Sequence, residues 1–228
     1  EGDCFERNAN LCYGSGFCTL GCSYNAKQSA AITMLPLACQ SGAQVYSDCK
    51  VERIRHNYDH ATEVIGQVLG TDRKPKGSFS IEAEIVIVSG GAIRTPALLL
   101  YSDVPDPSGQ LGRNLHLHPG TPIIAEFPEI DINPTVGILQ GYHISEFSWP
   151  LSGHSMDVLL EGISAAPGIA STVLSDIGAT HAENIKHIRN ASITGVLARD
   201  SGSGHIEVDS SGKPKVHYTL DPLDAKRL

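Results

Sequence analysis

The sequence predicts an α/β part followed by an α+β lobe that is built on an antiparallel sheet with helices. The first part is indicated by Ile85–Val88, four consecutive β-branched residues that are typical of a strand buried on both faces. This run leads into a glycine turn and an apolar helix. The second lobe is indicated by strand-like segments joined by Gly/Ser turns, at 192–199, 204–209 and 214–220. We expect these three strands to form one antiparallel sheet.

The segments before the β-branched run predict one helix and several strands. Apolar spacing over 26–43 predicts a helix, in which Pro36 introduces a kink. A strand pair is expected around the turn-like Ser47–Asp48, and a further strand over 64–72. Polar residues at 74–78 predict a turn before the β-branched run begins.

The turn at Ser89–Ala92 is the first candidate ligand contact. It follows the predicted strand Ile85–Val88, and Thr95–Pro96 is expected to open the apolar helix after it. Glycines let a ligand approach the backbone, and a helix N-terminus favours negative charge, so the pattern indicates half of a nucleotide-binding crevice. Two glycines that only turn the chain tightly explain the same letters.

The second half predicts strands interrupted by Pro, Gly and Asn, followed by helices. Strand patterns occur at 121–127, 136–144 and 154–163, and helical patterns at 166–178 and 181–191. This alternation supports the α+β assignment for the lobe.

Both ends of the chain predict that it is part of a longer protein. The sequence opens on Glu1 without an initiating Met or a signal peptide. At the other end, Asp221 is placed as an N-cap, Pro222 at the first helical position and Asp224 in the first turn. Such a start predicts two or three helical turns, yet the sequence ends at Leu228. We therefore expect a fold that is incomplete at both ends.

Composition and charge exclude several classes of partner. The 228 residues are 41% hydrophobic and carry a net charge of −8 with no Lys/Arg cluster, which argues against nucleic-acid binding. No run of about eighteen apolar residues is present, so no transmembrane segment is predicted in this chain.

Four cysteines near the amino terminus allow three interpretations. Their gaps of seven, five and three residues lack the paired C-x₂₋₄-C spacing of structural zinc sites and the C-x₂-C runs of iron–sulfur clusters. A disulfide scaffold is not needed in a chain long enough to bury a core. A thiol-rich packed loop is the third interpretation, and the residues alone leave disulfides open. The four residues are Cys4, Cys12, Cys18 and Cys22.

The histidines do not predict a metal site. His116 and His118 form an H-x-H pair without a nearby third ligand, so we expect a loop at a domain boundary. His181 and His187 are expected on the polar, solvated face of a helix. We assign no metal ligands in the chain.

Two segments carry a resemblance to a known family. "GGAIRTPALLLYSD" followed by "GQLGRNLHLHP" resembles a signature region of the glucose–methanol–choline (GMC) oxidoreductases, with Asp103 standing where that pattern usually has Gly. "CTLGCSYNAKQS" with the downstream "GAQVYSDCKVERI" is similar to the branch that contains long-chain alcohol oxidases and bacterial GMC dehydrogenases. The resemblance spans nearly the whole chain. Its matching positions are Gly91, Ala92, Thr95, Pro96, Leu99, Leu100 and Ser102.

The resemblance implies an FAD-dependent enzyme that oxidises CH–OH groups of a small-molecule alcohol. It implies that 1–120 is part of an FAD-binding, Rossmann-like domain that includes the Cys-rich loop near the flavin, and that 121–228 is a truncated substrate lobe. The implied cofactor contacts are Val51 to the adenine, Ser89, Gly90 and Gly91 near the ribose and pyrophosphate, and Asn114 and His118 near the flavin.

The resemblance also implies what this chain does not carry. The dinucleotide fingerprint is expected before it and the catalytic histidine beyond Leu228, so we assign no catalytic residue here and expect the chain alone to be inactive. Two alternatives stay open: a non-catalytic, cysteine-rich metal-binding module, and a hydroxynitrile-lyase-like member of the same fold. These residues do not identify the alcohol, the electron acceptor, the cellular compartment or the oligomeric state.

Apolar residues in the second lobe have two interpretations. They are compatible with the lining of a site for a hydrophobic alcohol, and they equally fit the core of a sheet. These residues are Ile138, Leu139, Met156, Val158 and Leu160.

Overall fold

A computed structural model describes residues 12–138, 141–148, 157–164 and 166–228. The chain forms two compact units that alternate along the sequence. The first unit contains the described residues within Glu1–Ala43, His118–Arg199 and Leu223–Leu228. The second unit contains Gln44–Leu117 and Asp200–Pro222. Part of the predicted substrate lobe, 200–222, therefore belongs to the same compact unit as 44–117.

The described residues form five α-helices, one short 3₁₀-helix and nine strands. The helices are α1 Met34–Gln40, α2 Gly91–Tyr101, α3 Pro167–Val173, α4 Ala179–Lys186 and α5 Pro222–Arg227, with the 3₁₀-helix at Ile188–Asn190. The strands are β1 Cys49–His56, β2 Ala61–Leu69, β3 Pro75–Glu82, β4 Gly120–Glu126, β5 His143–Ile144, β6 Val158–Ile163, β7 Ala191–Ala198, β8 His205–Val208 and β9 Pro214–His217. No described helix combines the length and the apolar character needed to cross a membrane.

The second unit contains a three-stranded antiparallel meander in the order β1-β2-β3. The strand pair expected around Ser47–Asp48 is instead closed at 57–60, where the Asn57 side chain accepts the His60 N–H at 3.1 Å. The turn at 47–48 only leads the chain into β1. The turn expected at 74–78 is also wrong, because β3 starts at Pro75 and the chain reverses between Gly70 and Lys74.

The β-branched run Ile85–Val88 does not form a strand. Ile85 and Ile87 are 79% and 84% exposed, whereas Val86 and Val88 line a cavity of about 210 Å³ together with Leu99. A strand buried on both faces needs a neighbour on each edge and helices on both sides. Every sheet in the described part of the chain is antiparallel, and none of them includes this run. The prediction of a strand buried on both faces is therefore not met within these residues.

Helix α2 begins before the predicted start at Thr95–Pro96. Its first residue is Gly91, so Pro96 lies inside the helix and not at its first position. Pro96 has no N–H to offer the carbonyl of Ala92, which loses its usual intrahelical partner. The helix packs its buried Ala97 against Leu115 and Ile206, the latter on β8.

The first unit is built on a four-stranded antiparallel sheet in the order β4-β7-β6-β5. The central strand β7 buries residues along its whole length, as expected for a strand with neighbours on both sides. Ile193 packs with Ala170 of α3 and Ile188, while Val196 packs with Val158 of β6. Helices and strands thus share one core, as the predicted α+β class requires.

Two strand predictions for the second half are corrected. The three final strands do not share a sheet, because β7 joins the four-stranded sheet whereas β8 and β9 pair only with each other. Among the described residues of the strand expected at 136–144, only the two residues of β5 are in a strand, and 139–140 lie outside the described part of the chain. The strand expected at 154–163 is observed as β6, Val158–Ile163. Residues 154–156 of the expected strand lie outside the described part of the chain.

The predicted helices are observed with shorter bounds. Pro36 is the third residue of α1, where N–H groups have no intrahelical acceptor, so it is accommodated without the predicted kink. The helix start at Pro222 is confirmed, with Asp224 in its first turn and fully buried. Arg227 binds that carboxylate at 2.8 Å and Asp157 at 2.5 Å, which ties α5 to the residue before β6.

Candidate functional site

The candidate site centres on the start of α2. Ser89, Gly90 and Gly91 are all exposed, and Gly90 is the N-cap of the helix. Gly91 has a φ of +81°, and a Cβ built on it would meet no atom within 4 Å. The Gly90 N–H donates to Thr95 Oγ1 at 2.9 Å, which fixes the turn. The first helical turn therefore presents backbone N–H groups beside open space.

A cavity of about 360 Å³ adjoins this helix start. Asn114 lines it in a left-handed conformation with a φ of +57°, and its amide donates to Gln110 Oε1 at 2.8 Å. None of the residues that line this cavity in the described structure is acidic. The complete lining is Ala92, Pro96, Gly112, Arg113, Asn114, Leu115, His116 and Ile206.

Val51 lies on β1, away from the start of α2. It pairs with Gly66 of β2 beside a β-bulge, and its side chain is partly exposed. Strand β1 contacts the carboxyl end of α2, where the Ile54 N–H donates to Ser102 Oγ at 2.9 Å. The structure brings Asn114 and the helix start to one cavity, whereas the strand that carries Val51 contacts the other end of α2 through Ile54.

His118 is exposed and begins a segment of the first unit, two residues before β4. Its neighbour His116 belongs to the second unit, where Nδ1 lies 3.8 Å from Asp200 Oδ2. The two histidines of the H-x-H pair thus belong to different units, as expected of a loop at a boundary.

Asp200 organises the loop after Asn114, and no local sequence pattern identifies it. Its side chain is 2% exposed. Its carboxylate accepts the N–H of Leu117 at 2.5 Å and of Gly202 at 2.9 Å, and the Tyr218 hydroxyl at 3.1 Å. Because Leu117 lies 83 residues upstream, only the tertiary structure shows this contact.

The cysteine loop contains free thiols. Cys12, Cys18 and Cys22 are half-buried and unpaired by disulfides in the described part of the chain, and Cys4 lies outside it. Backbone N–H groups of Lys27 and Tyr24 lower the pKa of the Cys22 thiol, and the Lys27 charge adds to the effect. Lys27 also donates its ammonium to the Cys18 carbonyl at 2.7 Å, which closes the loop.

The first unit has its own cavity of about 460 Å³, bordered by α4 and β4. His187 Nδ1 lies 2.9 Å from Glu126, and its Nε2 lies 3.6 Å from Glu183. His181 is half-buried, and its Nδ1 has no hydrogen-bond partner among the described residues. His187 is exposed, as predicted for a solvated side chain, whereas the enclosed Nδ1 of His181 does not fit that prediction.

Two of the five residues considered for an apolar substrate lining belong to the sheet core. Val158 is 6% exposed and forms a buried cluster with Val196. Leu160 packs against this cluster. Ile138 is 42% exposed. Leu139 and Met156 lie outside the described residues.

Comparison with known proteins supplies the context for this site. A family model described as GMC oxidoreductase matches residues 2–120. Two uncharacterised GMC-type oxidoreductases of Mycobacterium tuberculosis strains are 33% identical over 224 residues, which cover 97% of this chain and 33% of each relative. A long-chain-alcohol oxidase of Arabidopsis thaliana is 27% identical over 235 residues, which cover 97% of this chain and 31% of that protein. The chain thus spans about a third of the length of these curated relatives.

A solved structure shares the fold. An FAD-dependent oxidoreductase from Chaetomium thermophilum aligns with a TM-score of 0.52 and 14% identity. The alignment covers 89% of this chain and 45% of that one. The likeness therefore extends over both compact units of the chain.

Proposed function

Because this chain belongs to the GMC oxidoreductase family, we propose that it forms part of an FAD-dependent enzyme that oxidises the CH–OH group of an alcohol. The observation that carries this proposal is the start of α2, with Gly90, Gly91 and the adjoining cavity, which lies inside the segment matched by the family model. The non-catalytic, metal-binding interpretation of the cysteines has no such support.

The helix start is suited to an anionic group of the cofactor. N–H groups of a first helical turn lack intrahelical acceptors and attract negative charge. The space beside Gly91 is open, and Arg113 is a cation in the lining of the neighbouring cavity. These features fit the phosphates of FAD, which is the cofactor of the proposed reaction.

Five residues of the second unit are the proposed cofactor contacts, together with His118. Ser89, Gly90 and Gly91 would hold the ribose and pyrophosphate, and Asn114 and His118 would border the flavin. Val51 would contact the adenine through its backbone, which is accessible because β1 is an edge strand. When bound, FAD supplies the two-electron oxidation chemistry that the side chains of this chain do not provide.

The division into an FAD-binding part at 1–120 and a substrate lobe at 121–228 belongs to the same proposal. A hydrophobic alcohol is the proposed substrate, supported by the relatives named as long-chain-alcohol oxidases.

The test uses the intact protein purified with its flavin. We expect the absorbance bands of oxidised flavin, and their bleaching when primary alcohols of increasing chain length are added without oxygen. A protein that purifies without flavin and does not take up added FAD would contradict the cofactor assignment. A flavoprotein whose bands no alcohol bleaches would contradict the oxidation and favour a lyase-type reaction.

A further inference from the structure

The β8–β9 hairpin places two histidines and one glutamate together on one face. His205 lies directly opposite His217 in the antiparallel register. Glu207 follows two residues after His205, so both side chains leave the same face of β8. One possible ligand atom from each of the three residues lies within 4.8 Å of the other two.

Both histidine side chains approach the carboxylate of Glu207. His217 Nε2 lies 3.2 Å from Glu207 Oε2, and His205 Nε2 lies 3.6 Å from Glu207 Oε1. The two imidazole rings are stacked, with centroids 4.5 Å apart and planes within 7°. A cation between these nitrogens and the carboxylate would be bound by all three residues once the side-chain rotation of the stacked rings turns both nitrogens toward the same ion.

The backbone that carries this cluster is held in place from its other face. Ile206 is 4% exposed and packs on Ala97 and Leu115. Its two neighbours on β8, His205 and Glu207, therefore point away from that core. The hairpin turn is fixed by Asp209, whose carboxylate accepts the N–H groups of Ser211 and Lys213 at 2.8 and 3.0 Å. The register that pairs the two histidines is therefore set before any ligand binds.

We propose that His205, Glu207 and His217 form a binding site for a divalent transition-metal ion such as Zn²⁺. Two imidazole nitrogens and one carboxylate oxygen suit Zn²⁺, Cu²⁺ and Ni²⁺ and disfavour Mg²⁺ and Ca²⁺, which prefer oxygen ligands. Three protein ligands leave a coordination position for water. Lys215 is paired with Glu207 across the hairpin, so its charge opposes the ion and moderates the affinity.

The experiment is a calorimetric titration of ZnCl₂ into the untagged, chelator-treated intact protein. We expect one ion per chain, and affinity at least about tenfold weaker in His205→Gln and in His217→Gln, a difference of about 1.4 kcal/mol. Glu207→Gln should also weaken binding. Lys215→Ala should strengthen it, because the opposing charge is removed.

A matched control and a spectroscopic readout separate this site from the other histidines. His60 is exposed in the same unit and outside the cluster, so His60→Gln should bind as the wild type does. With Cu²⁺, electron paramagnetic resonance should show two nitrogen ligands in the wild type and one in each single histidine variant. Unchanged affinity and unchanged nitrogen count in both histidine variants would overturn the proposal, as would no Zn²⁺ binding at all. Because these side chains are on the surface of the hairpin, the melting temperature without metal should not change.

Discussion

Gly91 combines a positive φ with open space in the direction of its missing side chain. Gly91→Val would introduce a β-branched residue in this conformation, at a cost of about 1–3 kcal/mol, and would fill the space beside the helix start. We expect FAD retention by the intact protein to weaken at least about tenfold. The measurement is the flavin-to-protein ratio after dialysis, together with the dissociation constant for added FAD.

Gly109 provides the matched control. It also has a positive φ, +64°, and open space at its Cβ, but it lies in the turn that follows α2. Gly109→Val should cost similar stability and leave flavin retention unchanged. Equal loss of flavin in the two variants would show that strain alone, and not the position beside the cavity, explains the effect.

Cys22 has the lowered thiol pKa in the cysteine loop, caused first by the backbone N–H groups of Lys27 and Tyr24. Since the thiolate is the reactive form, alkylation of Cys22 by iodoacetamide should reach half its maximal rate below the pH that is usual for a cysteine thiol. Mass spectrometry of peptides alkylated at a series of pH values measures this. A midpoint at or above that of a free cysteine in a peptide would contradict the assigned environment.

At the scale of the elements, Gly66 is required by the pairing of β1 and β2. A Cβ at this position would lie 2.1 Å from the Lys50 carbonyl oxygen and 2.8 Å from the Phe79 ring. Gly66→Ala should therefore destabilise the protein by about 1–3 kcal/mol, because neither backbone nor ring can move freely in the meander.

The comparison for this prediction is Gly77→Ala on the neighbouring strand β3. A Cβ at Gly77 meets no atom within 4 Å, so the change in unfolding free energy should stay within about 0.5 kcal/mol. Urea denaturation of both variants gives the two values. Similar destabilisation by the two substitutions would indicate a loss of β propensity common to both strands, and not the predicted clash.

Local patterns were sufficient for elements whose signals lie within a few residues. Such signals predict the start of α5 at Pro222, the strands β2 and β7, and the helix that follows the Gly90–Gly91 turn. Strand pairing could not be predicted in the same way. A β-branched run such as Ile85–Val88 indicates a buried strand without showing which strands would be its neighbours. The hairpin β8–β9 was predicted as two strands, but its separation from β7 depends on contacts with α2.

The residues of the candidate site also differ in whether a local sequence pattern identifies them. Glycines at a helix start are visible as a motif, so Gly90 and Gly91 could be selected from the sequence. Asp200 could not, because it contacts Leu117 from 83 residues away. The His205–Glu207–His217 cluster was not predicted, because the opposition of His205 and His217 depends on the register of β8 with β9.

At the scale of the whole molecule, the alternation of the two units has a consequence for chain topology. The second unit consists of two chain segments, one ending at Leu117 and the other starting at Asp200. The Leu117 N–H donates to the Asp200 carboxylate at 2.5 Å. The segment 118–199 therefore behaves as an insertion whose ends meet. Closing the same gap with a linker of about four residues would lower the loop-closure entropy cost by about 3 kcal/mol.

A shortened polypeptide of residues 44–117, a Gly/Ser linker and residues 200–222 should accordingly fold as an autonomous module. Dispersed amide resonances and a cooperative thermal transition would be the signature, and a spectrum typical of an unfolded chain would refute autonomy. If the module folds, the inserted segment is exchangeable. Relatives could then vary 118–199 in length and sequence while the helix start, the cavity and the hairpin remain unchanged.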